Sequence, residues 1–281
     1  MTMAGKEIAV GGTNSSRKLD QAVQQLACDG YCIIPDVLSD TEVCKSLATL
    51  HQAVEEMRAQ NQATFMPDLD PNSSSIRVFH LLALNPLFRD LIRHPDAIAM
   101  VEGLLGPDFL ISNFTANIAL PGSRSMALHS DQAIVVPGPW LHPWAINIIW
   151  CLTDCYGENG ATLFIPGSHG WTTREDVPRN AVDLLVPFEA PAGSIIAMDG
   201  RMWHTSGANI TKDEERALLF GYYTKPFLRP QVNWNALLPS ELQENADHWL
   251  RKRLGLGISA NVGKAEVLSN DLGGLAAGNP S

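Results

Sequence analysis

The sequence predicts a mainly β fold with flanking helices, an antiparallel sandwich or jelly roll behind a helical N-terminal third. Two observations carry that prediction. Apolar residues recur at helical spacing up to Leu105, whereas β-branched and aromatic runs dominate from Phe109 onward. Clusters such as Pro121-Gly122, Gly157-Glu158-Asn159-Gly160 and Pro166-Gly167-Ser168 punctuate the second region, as turns between antiparallel strands do.

In order, Leu19, Ala22, Val23, Leu26 and Ala27 mark a first helix ended by Asp29-Gly30. Tyr31 to Pro35 reads as a short strand. Ser39 with Glu42 forms a capping box ahead of Val43, Leu47, Leu50, Val54 and Met57, a long amphipathic helix. Phe65 to Ser75 is rich in Pro, Asp, Asn and Ser and reads as a loop. Helical patterns resume at Pro86 to Arg93 and at Pro95 to Leu105, the latter closed by Gly106. Strands are expected at Phe109 to Leu120, Ile146 to Thr153, Thr162 to Ile165, Ser194 to Met198 and Ala217 to Thr224. The expectation is one domain over residues 1–281: helical support at about 17–106, a jelly-roll core at about 107–230 and a C-terminal helical segment at about 238–256. Residues 1–16 and 272–281 are expected to be mobile.

The formal net charge of -10 disfavours a nucleic-acid surface, which needs clustered Lys and Arg. Residues 1–16 lack the apolar core of a signal peptide, and no run approaches the roughly 20 apolar residues of a membrane span. A cytoplasmic protein follows, binding a small molecule and neither nucleic acid nor membrane, with a homodimer compatible. The five cysteines show no zinc-like grouping with His, and Cys151 and Cys155 read as buried free thiols.

In Ala127-Leu128-His129-Ser130-Asp131-Gln132 an imidazole and a carboxylate stand two residues apart, so on a strand both project from one face. A third ligand would complete the two-His-one-carboxylate facial triad of non-haem Fe(II). The candidate is His204, set in the glycine-flanked Asp199-Gly200-Arg201-Met202-Trp203-His204-Thr205-Ser206-Gly207. Twelve residues later Arg216 opens an apolar strand, where a guanidinium could grip a dicarboxylate bidentately. Taken singly, a His-x-Asp pair is more often a surface pair, His204 a satisfied core histidine and Arg216 an ion-pair partner. Their joint order is the evidence.

At these residues the chain resembles the phytanoyl-CoA dioxygenase-like family of Fe(II)/2-oxoglutarate oxygenases. Asp29 to Pro35 with Leu38-Ser39 is similar to its opening helix and strand, and Asn85-Pro86 through His94-Pro95 to Leu105-Gly106 to its middle helices. Trp150-Cys151-Leu152-Thr153-Asp154 and Glu158-Asn159-Gly160 through Pro166-Gly167-Ser168-His169 resemble its signature between the halves of the iron triad. The resemblance implies a double-stranded β-helix (cupin-like jelly roll), iron on His129, Asp131 and His204, and 2-oxoglutarate held through its distal carboxylate by Arg216, with Thr162 a second contact. Many relatives carry Gln where this chain has Met126, so Asn117 or another polar side chain of the preceding strand is expected to substitute; His169 reads as structural. Fe(II), 2-oxoglutarate and O2 are then the implied cofactors, with ascorbate as an auxiliary reductant. The implied reaction oxidises an unactivated C–H bond while 2-oxoglutarate and O2 become succinate and CO2. Asp131 argues against halogenation, in which related enzymes replace that carboxylate; hydroxylation, desaturation, epoxidation, endoperoxide formation and rearrangement stay open.

The expected pocket walls are Met66, Arg77, Phe79 and His80 from the helical third, Phe114 and Met126 from the first β run, and Trp140, His142 and Trp144 after the His-x-Asp motif. Such a lining suits a compact, largely apolar natural-product intermediate with a few polar handles. An acyl-CoA would favour a basic entrance that the sequence does not offer. A cupin-type enzyme without co-substrate would leave Arg216 without purpose, and a non-catalytic jelly-roll binding or partner subunit is the remaining alternative.

Overall fold

A computed structural model describes residues 14–257. Its helices are α1 (Asn14–Asp29), α2 (Asp40–Ala59), α3 (Leu81–Leu84), α4 (Pro86–Leu91), α5 (Pro95–Leu105), α6 (Trp234–Leu237), α7 (Ser240–Asn245) and α8 (His248–Leu254). Its strands are β1 (Tyr31–Ile34), β2 (Ser75–Val78), β3 (Leu110–Ala119), β4 (Ala145–Cys151), β5 (Thr162–Phe164), β6 (Val186–Pro187), β7 (Ile195–Asp199), β8 (His204–Ser206) and β9 (Arg216–Thr224). They form an antiparallel six-stranded sheet, β1-β7-β4-β9-β3-β2, and a three-stranded sheet, β6-β5-β8. This is the expected jelly roll.

Local chemistry explains the elements. Ser39 and Glu42 form the capping box of α2: the Glu42 carboxylate accepts from the Ser39 N–H at 2.8 Å, and Ser39 Oγ accepts from the Glu42 N–H at 3.4 Å, worth about 1 kcal/mol. Gly30 closes α1 at φ +79, and a Cβ there would come within 2.5 Å of the His169 ring. The signature histidine is thus packed on the α1–β1 turn.

The large sheet is buried on both faces, and the period of two sorts its residues. Ile146, Ile148 and Trp150 of β4, Ile195 and Ala197 of β7, and Ala217, Leu219 and Tyr223 of β9 join the helices in the main core. The alternate residues Ile149, Cys151, Ile196, Met198 and Leu218 pack against Phe164 and Phe188 of the small-sheet side. The five cysteines are free thiols.

Three short strands escape the sequence pattern. β2 hides at the end of the Phe65 to Ser75 loop, and β6 and β8 have two and three residues, too few for a period to register. The helical third therefore also supplies both edge strands of the large sheet, β1 and β2. Of the 1–16 and 272–281 segments expected to be mobile, residues 14–16 begin α1, and residues 1–13 and 272–281 lie outside the described residues.

Candidate metal centre

The His-x-Asp pair does not lie on a strand, as its spacing suggested. His129 makes a single antiparallel bridge to His204, with backbone bonds of 3.0 and 2.8 Å, and Asp131 starts a 3-10 turn, Asp131–Ile134. Ser130 is extended, which keeps the alternation for one step and points both side chains the same way. The Gly200 carbonyl then ends the extended run by accepting from Ser130 Oγ at 2.9 Å and from the Gln132 N–H at 2.7 Å.

The bridge brings His204 to the pair. One ligand atom each from His129, Asp131 and His204 lies within 4.8 Å of the others, and both Nε2 atoms are 3.9 Å from Asp131 Oδ1. His129 Nδ1 lies 2.9 Å from the Ala127 carbonyl and His204 Nδ1 3.0 Å from that of Met202. A carbonyl only accepts, so both Nδ1 atoms carry the proton and both Nε2 lone pairs face the common centre. Burial pushes the His204 pKa down, which keeps the ring in the neutral form a metal needs. Two neutral imidazoles and one carboxylate fit a divalent ion of the Fe(II) type. No Lys or Arg pairs with Asp131 among the described residues.

A cavity of about 440 Å³ opens from this centre between the two sheets. At its lining is Arg216, a fully buried guanidinium. Nε donates to the Gly160 carbonyl at 2.8 Å, and Nη1 donates to the Asn117 carbonyl and Oδ1 at 3.2 and 3.1 Å. Its bonds are all to neutral acceptors. Burial pushes its pKa down to about 10. Arg77 of the same cavity differs, since Nε and Nη2 engage the buried Asp70 carboxylate at 2.6 to 3.2 Å. An unpaired buried cation is costly, and no carboxylate pairs with Arg216 among the described residues, which makes it a candidate anion site.

Of the expected residues, Thr162, Asn117, Arg77, Phe79 and Met126 line this cavity with the three ligand candidates and Arg216. Six others do not. Trp140 is buried and donates Nε1–H to the Val135 carbonyl at 2.7 Å, Trp144 packs edge-on to Phe227, and the His142 carbonyl accepts from Gln132 Nε2 at 2.8 Å. That loop folds around Gln132 and turns its rings from the cavity. Met66 caps Asp70 through its backbone N–H, His80 stands edge-on to Trp234, and Phe114 packs against Phe88 in the main core. Sequence reasoning missed Asn113, Thr115, Asn147, Phe220 and Tyr222 in the lining. The signal was present: Asn113-x-Thr115-x-Asn117 puts polar side chains on alternate positions of a strand otherwise fit for a core.

The phytanoyl-CoA dioxygenase (PhyH) family pattern matches residues 26–217, a span that contains the three metal-ligand candidates and Arg216. The chain is 52% identical over 249 residues to Dioxygenase af480 of Aspergillus fumigatus, covering 89% of this chain and 81% of that one. It is 28% identical to Dioxygenase andF of Emericella variicolor over 62% of this chain and 63% of the other. Among solved structures it is similar in fold to the α-ketoglutarate-dependent carbocyclase SnoK of nogalamycin biosynthesis, at TM-score 0.63 and 22% identity over 81% of this chain and 93% of that one. HygX of Streptomyces hygroscopicus, solved with nickel, 2-oxoglutarate and hygromycin B, superposes at TM-score 0.61 and 16% identity over 75% and 88%. The chain belongs to the phytanoyl-CoA dioxygenase family of Fe(II)/2-oxoglutarate-dependent dioxygenases.

Proposed function

We propose that this enzyme oxidises an unactivated C–H bond of a small, largely apolar natural-product intermediate, by hydroxylation or by desaturation or rearrangement. In this reading His129, Asp131 and His204 hold Fe(II), and Arg216 grips the distal carboxylate of 2-oxoglutarate with Thr162 and Asn117 beside it. One observation carries it: a single cavity contains a His-Asp-His cluster whose carboxylate pairs with no Lys or Arg and a buried guanidinium that pairs with no carboxylate, among the described residues. A metal-chelated dicarboxylate answers both needs. When bound, iron and 2-oxoglutarate supply the oxidant for C–H cleavage, with O2 consumed and succinate and CO2 released.

The chain's own side chains orient and exclude water. Leu69, Phe79, Met126, Leu128 and Phe220 give the cavity apolar walls, and its volume of about 440 Å³ suits one small molecule. Asn113 Oδ1, buried without a partner among the described residues, is a polar handle for an oxygenated substituent. Beyond Arg216 and the Asp70-paired Arg77, Arg174 is the one further Arg or Lys in the described lining, too few cations for the phosphates of an acyl-CoA. The outcome on the substrate depends on its placement: SnoK is a carbocyclase and SnoN an epimerase on one fold.

The test supplies enzyme with Fe(II), 2-oxoglutarate, ascorbate and air, and screens terpenoid, polyketide and alkaloid intermediates beside acyl-CoA thioesters. Succinate release stimulated by a free natural product, which gains an oxygen or loses two hydrogens, is expected. Stimulation by acyl-CoA alone would replace the substrate reading, and no succinate from any mixture would remove the oxygenase reading.

A further inference from the structure

One row of side chains crosses three strands beside Asp131. Asn113 of β3 and Asn147 of β4 are both register partners of Tyr222 on β9, and all three line the cavity. Asn147 is the single polar residue in Ala145-Ile146-Asn147-Ile148-Ile149-Trp150-Cys151, a strand buried throughout. An amide in such a strand is costly unless it is bonded.

Its bonds divide the Asp131 carboxylate. Asn147 Nδ2 donates to Asp131 Oδ2 at 3.1 Å, while Asp131 Oδ1 is the oxygen 3.9 Å from both histidine Nε2 atoms. Asn147 Oδ1 is buried with no partner among the described residues, so no other bond accounts for this amide. Turning it over would set oxygen against oxygen. The Tyr222 hydroxyl donates to the Asp131 backbone carbonyl at 3.3 Å, so the row holds both ends of the residue.

We propose that Asn147 is a positioning residue that commits Asp131 to the metal through Oδ1 alone. This rests on the metal reading above and deepens it. A carboxylate bound through both oxygens occupies two coordination positions; bound through one, it leaves the triad three open positions for chelating co-substrate and oxygen. The amide N–H donates to Oδ2 and so disfavours the two-oxygen mode. Tyr222 fixes the backbone from which Asp131 projects.

The test titrates the metal-free full chain with Co(II) in native, Asn147→Leu, Asp131→Gly and doubly substituted proteins. Leu keeps the branched shape and removes the donor. Asn147→Leu is expected to weaken Co(II) binding about 10- to 100-fold and to weaken the visible Co(II) bands as coordination number rises. In the Asp131→Gly background the same change is expected to shift the dissociation constant less than about twofold, because Asn147 acts through Asp131. Equal losses in both backgrounds, or native affinity and spectrum in Asn147→Leu, overturn the proposal. If Asn147→Leu does not fold, Asn147→Ser and Tyr222→Phe enter the same cycle, with smaller losses expected that again vanish without Asp131. A native chain that binds no Co(II) overturns the metal centre itself, an outcome distinct from failure of the Asn147 step.

Discussion

The two ends of the cavity are built by opposite means. At the candidate metal end the candidate ligands come from short pieces: a one-residue bridge at His129, a 3-10 turn at Asp131 and the three-residue β8 at His204. Exposure runs from 40% at the His129 side chain to 9% at His204, so this end meets solvent. At the other end Arg216 stands on the nine-residue β9, in the interior of the large sheet and out of contact with water. Among the described residues one end carries a carboxylate with no Lys or Arg partner, the other a buried guanidinium with no acid partner. A cavity charged in this way is preorganised for a cation and an anion together.

The largest effect that would break this comparison is loss of a metal ligand. His204→Ala is expected to abolish the Fe(II)·2-oxoglutarate charge-transfer band and lower succinate formation by about 1,000-fold or more, since an incomplete triad no longer holds the metal. Retained activity would move the centre elsewhere. Arg216→Leu comes next. Loss of charge-assisted bonds worth about 1.5–3 kcal/mol predicts a 2-oxoglutarate half-saturation raised by roughly 10- to 150-fold, with Co(II) affinity changed less than about twofold. Parallel losses of metal and co-substrate would mean that the two ends are not separable.

Smaller effects sharpen it. Trp140→Phe removes the indole donor to the Val135 carbonyl and is expected to cost about 1 kcal/mol in thermal unfolding, with metal and 2-oxoglutarate affinities unchanged. A changed affinity would return that ring to the cavity. The smallest effect is on pH. Burial lowers the folded pKa of His204 from 6.5, so its contribution to stability is full above that value and is lost as pH falls towards the folded pKa. Melts of the metal-free protein should lose at most about 1.4 kcal/mol per pH unit from this group, and saturating Co(II) should hold stability to lower pH.

The convergence of the three candidate ligands was legible because they sit in short motifs. His129-Ser130-Asp131 needs one extended residue between its ligands, and one extended residue is what the chain supplies before it turns. Arg216 was legible as a cation opening an apolar strand, but its lack of an acid partner became visible only in three dimensions, where Asp70 sits with Arg77 instead. The aromatic wall misled. Trp140, His142 and Trp144 lie close in sequence to the motif, yet Gln132 ties their loop to itself through the His142 carbonyl and the Trp144 N–H. The inward face of β3 was readable from Asn113, Thr115 and Asn117 alternating along an apolar strand, a pattern that composition alone hides.

The most direct test of the central claim is an anaerobic titration of the native chain with Fe(II) and 2-oxoglutarate, followed by the visible charge-transfer band of the chelate, beside His129→Ala and Arg216→Leu. The account predicts a band in the native protein, none in His129→Ala, and in Arg216→Leu a band of native position that needs far more 2-oxoglutarate. A folded native protein that gives no band, or an Arg216→Leu titration identical to the native one, would contradict it.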